Sequence, residues 1–149
     1  MKRILFALIT FLSLSIVSKA QDYKFAAGIR FSNAEPTLSN AVSVKYFITE
    51  TSAIEGIVSY GSRFGLGALL ELHKPFKPEG FGWFYGGGVY VGFADNNSYV
   101  GPTGIVGLDY KFSGIPLNLS LDWKPELDIV PKIKFVPAAF ALSARFAFK

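Results

Sequence analysis

Phe140, Leu142, Ala144, Phe146 and Phe148 alternate with Ala141, Ser143, Arg145 and Ala147 in "AFALSARFAFK", the end of the chain. A strict two-residue period marks a β-strand whose faces meet different surroundings. Seven more segments read this way between turn-forming clusters, so strands are predicted over Lys24–Phe31, Ser39–Phe47, Ser52–Tyr60, Phe64–His73, Trp83–Phe93, Thr103–Phe112, Pro116–Lys124 and Ala139–Phe148. The connections "SNAEPTLS", "YGSR", "KPFKPEG", "ADNNS", "SGIP" and "KPELDIVPKIKFVP" are rich in residues that favour turns. No segment carries helical spacing. Eight strands of ~9–11 residues fit the available length with short links. An even count returns both ends of the wall to one side.

The N-terminus is set apart from this pattern. Lys2 and Arg3 precede an uncharged, mostly apolar run from Ile4 to Val17, and Ser18-Lys19-Ala20 places small residues where a signal peptidase reads. This predicts a secretory signal over residues 1–20 and one barrel domain over 21–149, the run being shorter than the ~20 residues of a spanning helix. Of the formal charge of +4, Lys2, Arg3 and Lys19 carry three positive charges, which leaves about +1 after cleavage. The basic balance is therefore a targeting feature, and no nucleic-acid footprint remains. With no cysteine, a disulfide framework is excluded.

The two faces of the strands differ in kind. One carries rows such as Phe25/Ala27/Ile29/Phe31, Phe64/Leu66/Ala68/Leu70/Leu72 and Leu117/Leu119/Leu121/Trp123, which no charge interrupts. The other carries Lys24, Arg30, Lys45, Glu55, Glu71, His73, Asp109, Lys111, Asp122, Lys124 and Arg145, interleaved with Gly28, Gly65, Gly67, Gly86, Gly88, Gly92 and Gly107. A water-soluble barrel turns the apolar rows inward, and a membrane barrel turns them outward. Glycine beside long charged residues suits the narrow interior of an eight-stranded barrel, whereas on a solvated face it only weakens strands. Aromatic residues also gather at both ends of the apolar rows. Phe25, Tyr46, Trp83, Tyr85, Tyr110, Phe112, Phe146 and Phe148 fall at one end, and Phe31, Tyr60, Phe64, Phe93, Trp123 and Phe140 at the other, around an aliphatic middle. Two aromatic girdles and an apolar band are the pattern of a bilayer-spanning wall. The expected fold is an all-β, eight-stranded, antiparallel, up-and-down transmembrane β-barrel with the charges inside.

The segments "WFYGGGVYVGF" (83–93), "GIVGLDYKF" (104–112), "IPLNLSLDWKPEL" (115–127) and "LSARFAF" (142–148) resemble the small outer-membrane β-barrel proteins of Gram-negative bacteria, an OmpX/OmpA-like eight-stranded architecture. The resemblance spans 21–149. It implies residence in the outer membrane among lipid and lipopolysaccharide, no cofactor, and assembly by the barrel machinery, which reads aromatic-terminated last strands such as this one. A monomer is expected. The loops at the exterior end are short except the last, which argues against a large adhesive surface.

Arg30, Lys45, Glu55, Glu71, Asp109, Asp122 and Arg145 are expected to converge in the lumen, either as a paired plug or as the lining of a narrow conduit for ions or small solutes. Buried charges require partners and the interior is small, so the plug is the leading expectation. A lipid-modifying enzyme would need a serine beside His73 at the outer rim. His73 lies at the other end on the lumen row, and one histidine without cysteine makes a poor metal site, so neither catalysis nor metal binding is expected. Asp95-Asn96-Asn97 offers oxygens to Ca²⁺, although a hairpin turn accounts for it more simply. "GGG" at 86–88 lacks the helix and Lys-Ser/Thr pair of a phosphate loop, and close packing against large lumen side chains is expected instead. The last loop is expected either to pack over the mouth or to offer Lys132 and Lys134 to lipid phosphates.

Overall fold

A computed structural model of the chain describes residues 23–33 and 37–148. The expected signal segment lies outside these residues. Among them there is no helix, and ten strands form: β1 (Phe25–Ser32), β2 (Ala41–Phe47), β3 (Ser52–Ser59), β4 (Phe64–Pro75), β5 (Phe81–Ala94), β6 (Asn97–Lys111), β7 (Leu117–Trp123), β8 (Glu126–Asp128), β9 (Lys134–Val136) and β10 (Phe140–Phe148). Eight of them, β1 to β7 and β10, make an antiparallel wall in which each strand pairs with its neighbours along the chain. The wall closes where β1 meets β10, from Phe25 opposite Phe148 to Ser32 opposite Ala141. The last strand thus finds its partner in the first, and no wall strand keeps a free edge.

The alternation resolves as an inside-out cylinder. Ile29, Leu70, Leu108 and Leu142 are each about half exposed on the outer face, whereas Arg30, Lys45, Glu55, Glu71 and Arg145 are at most 1 % exposed inside. Two row assignments change. Lys24 precedes β1 and is exposed, and Phe112 follows β6 and is buried, its ring edge-on to Tyr110.

One end of the barrel carries Tyr23 and Phe148 together with the turns after β2, β4 and β6; this is the terminal end. The opposite end, the mouth, differs from expectation in three connections. The β5–β6 hairpin is longer than the sequence suggests, because β6 begins at Asn97 rather than Thr103. Its turn is Asp95-Asn96, with positive φ values of 47° and 63°, a conformation these two residue types tolerate. The last connection contains β8 and β9, a small hairpin joined to the outer half of β6 through Thr103 opposite Glu126 and a bridge between Val100 and Val130. Ahead of β2, Thr37 and Leu38 turn inward and are fully buried.

Glycines mark where backbones crowd. A Cβ on Gly86 would meet Leu70 O at 2.0 Å, and one on Gly88 would meet Ala68 O at 1.9 Å. The expected contact of "GGG" with lumen side chains is corrected here: these glycines let β5 approach the backbone of β4. By contrast, a Cβ on Gly56 would find Val44 O only at 4.0 Å. Gly88→Val is therefore expected to reduce the yield of folded barrel sharply and Gly56→Ala to leave it near wild type, as read from heat-modifiable mobility on gels after refolding in detergent.

Candidate functional site

The lumen is filled in layers, and strand parity decides what enters each. Nearest the terminal end, Tyr23, Ala26, Phe47, Ala53 and Ala147 form an apolar plate. Nearer the mouth, Leu38, Ala41, Ile57, Leu69, Phe84, Tyr90 and Ile105 form another. Charged side chains lie between and beside these plates.

Arg145 on β10 is the centre of the charged layer. Its Nε donates to Ser43 Oγ at 2.8 Å, one terminal nitrogen donates to Ser120 Oγ at 2.8 Å, and the other bonds Glu55. Ser43 in turn donates to Glu55. Lys45 lies between two carboxylates, 2.7 Å from Glu71 and 4.0 Å from Glu55, with its ammonium 4.5 Å from the Phe84 ring centroid. His73 continues the chain, with Nε2 2.8 Å from Glu71 and Nδ1 3.6 Å from Asp109. Its ring stacks on Phe84 and tilts against Phe47, both at 4.9 Å, so it bridges the ionic layer and the terminal plate. A second unit pairs Arg30 with Asp122 through two bonds of 2.5 and 2.6 Å. All seven charges expected in the lumen are there, grouped as Arg30–Asp122 and as Arg145–Glu55–Lys45–Glu71 with Asp109 reached through His73.

The mouth holds a third set, of which sequence reading placed Lys124 on the inward row but did not identify Glu126, Asp128 or Arg63. Glu126 on β8 accepts the backbone N–H groups of Thr37 and Leu38 at 2.6 and 2.8 Å, while Lys124 Nζ donates to it at 2.8 Å. Burial pushes the pKa of Lys124 below its ordinary value, against the pull of Glu126. Asp128 accepts from Arg63 at 2.9 Å and from the Tyr90 hydroxyl at 2.7 Å, and Arg63 lies over the Tyr99 ring at 3.5 Å. Thr37 and Leu38 are thus held down by the Glu126 carboxylate from the last connection. Leu38 and Thr37 occupy the space left by Gly67, Gly65 and Gly92, where added Cβ atoms would meet them at 2.4 to 2.8 Å.

A signal for Glu126 and Asp128 was present. Asn118, Ser120, Asp122, Lys124, Glu126 and Asp128 form one unbroken polar alternation, and all six are buried. The prolines and charges of "KPELDIVPKIKFVP" hide that β8 carries on the inward row of β7. Lys132 and Lys134, the residues expected to reach lipid phosphates, are exposed on the β8–β9 hairpin. Lys134 pairs in register with Asp128, which places it on the mouth side of the sheet rather than on the apolar outer side shared by Leu127 and Phe135.

Chemically this arrangement holds its groups in place. The hydroxyls of Ser43 and Ser120 both accept from Arg145, and His73 is bracketed by carboxylates. Among the described residues no group of three or more His, Cys, Asp or Glu side chains is arranged to hold a metal ion. No protein-family model matches the chain, and no curated protein matches it significantly.

Two outcomes are expected. Arg145→Met removes the bonded cation from the buried Glu55 carboxylate and is expected to destabilise the barrel by about 3–5 kcal/mol, while Arg145→Met with Glu55→Leu costs less than the single change, both measured by urea unfolding in lipid vesicles. Glu126→Ala leaves two buried N–H donors without their acceptor, at about 1–3 kcal/mol each. It is expected to speed proteinase K cleavage between β1 and β2.

Proposed function

We propose that this chain is an integral outer-membrane barrel of the Gram-negative envelope, with a structural or envelope-integrity role and a lumen closed by its own ion pairs. The observation that carries the reading is the belt of exposed apolar side chains around a closed wall whose charges, among the described residues, face inward or lie at its ends. A hydrocarbon environment stabilises such a belt, and it requires the absence of free sheet edges, since an unpaired amide there costs several kcal/mol. The terminal end then faces the periplasm and the mouth faces the exterior. The neighbours are outer-membrane lipid and lipopolysaccharide, with the barrel assembly machinery acting during biogenesis. The barrel is monomeric and non-catalytic in this reading, close to the OmpX/OmpA-like architecture its strands resemble.

The closed lumen is preferred to a conduit for a specific reason. The inward glycines face a neighbouring backbone, the inserted Thr37 and Leu38, or the side chains of Ser59, Asp122 and Phe84 beside Gly65 and Gly107. Apolar plates also lie on both sides of the charged layer, and ions do not cross such layers without water. Planar-bilayer recording of the refolded mature chain is expected to show no steady single-channel steps. Reproducible steps of uniform size would overturn the closed-lumen reading, and altered lipid A in expressing cells would overturn the non-catalytic one.

A further inference from the structure

A groove of about 400 Å³ crosses the outer face of β5, β6, β7 and β10, lined by Trp83, Val106, Leu108, Leu121, Trp123 and Phe140. Its course follows the register, from Trp83 opposite Leu108, through Leu121, to Phe140 opposite Trp123. That is three strand spacings, or ~14 Å at ~4.8 Å each. The walls are fixed at both ends. Trp123 Nε1 donates to Pro137 O at 2.5 Å, which pins the indole, and Trp83 stacks on Tyr85 at 5.2 Å.

A cation stands at the Trp83 end. Lys74 continues the outward row of β4 and pairs in register with Trp83. Its ammonium lies 5.6 Å from the Trp83 ring centroid and 5.9 Å from that of Tyr85, over aromatic faces rather than against a carboxylate. Lys74 is the next-to-last residue of β4, beside the turn at the terminal end. A lysine here lays its stem along apolar surface and presents its charge at the interface, where a phosphate is the complementary group.

We propose that this groove and Lys74 form a site for one glycerophospholipid of the periplasmic leaflet, an acyl chain lying in the groove and the phosphate meeting the Lys74 ammonium. The inference rests on the outer-membrane reading above. Lipopolysaccharide belongs to the opposite leaflet, so a phospholipid is the occupant that the position of Lys74 selects. Fixed aromatic walls give a chain a shaped surface, and the ring faces hold the ammonium near the groove entrance.

The test uses the mature chain refolded in mild detergent, with native mass spectrometry after addition of palmitoyl-oleoyl-phosphatidylglycerol. Wild type is expected to retain one lipid. Lys74→Gln is expected to lower the bound fraction about fivefold, the upper range for a single interfacial ion pair. Leu108→Trp, which fills the groove from an exposed position, is expected to abolish retention, and Lys24→Gln, at another exposed lysine of the same end, to leave it unchanged. Equal retention by wild type, Lys74→Gln and Leu108→Trp would overturn the site, as would an even spread of several lipids on every variant. Insertion into vesicles is scored in parallel. A barrel that inserts but holds no single lipid contradicts this site alone, whereas one that never inserts contradicts the outer-membrane reading itself.

Discussion

Pairing β1 with β10 closes the sheet at eight strands, and the number of strands sets the width of the interior. A cylinder this narrow admits side chains but little else, so every long charged residue that parity turns inward must find a partner inside. Arg145 therefore reaches from β10 across β1 and β2 to Glu55 on β3, and Arg30 reaches from β1 across β10 to Asp122 on β7. Such pairs are weak sources of net stability, because desolvation offsets much of the attraction. They are strong constraints on register. A slip of one residue would turn Arg145 into the outer belt and Phe146 into the lumen.

Charged side chains and apolar plates share the interior in layers. Lys45 lies over the ring of Phe84, and His73 packs between Phe84 and Phe47, so these charged groups are held against apolar plates. The mouth uses the same principle with backbone donors. Glu126 takes the N–H groups of Thr37 and Leu38, and Lys124 balances it, so a polar link becomes part of the interior.

Parity was legible in the sequence because a two-residue period survives without knowledge of partners. It placed Arg30, Lys45, Glu55, Glu71, Asp109, Asp122 and Arg145 on one face, and all are buried. Which charge meets which was not legible, since Arg30 and Asp122 are 92 residues apart and meet only through the register of three strands. Phe84, Ile57, Leu69 and Ile105 were equally hidden, because an apolar residue on an inward row looks like a local exception until the lumen is seen to need filling. The roles of Gly86 and Gly88 were misjudged for a related reason. Sequence shows that space is required but not whether a side chain or a neighbouring backbone takes it. The inward fold of Thr37 and Leu38 depends on a carboxylate nearly ninety positions later, which no local pattern contains.

The central claim is that apolar rows meet hydrocarbon while charged rows are sealed from water. The absence of native cysteine allows a direct measurement, with single cysteines placed at Leu66, Leu108 or Leu142 on the outer face of the vesicle-reconstituted chain. Spin labels at these positions should relax readily with dissolved oxygen and remain shielded from a water-soluble nickel complex. Strong relaxation by the nickel complex at all three would mean that the belt faces water, and the account would be wrong.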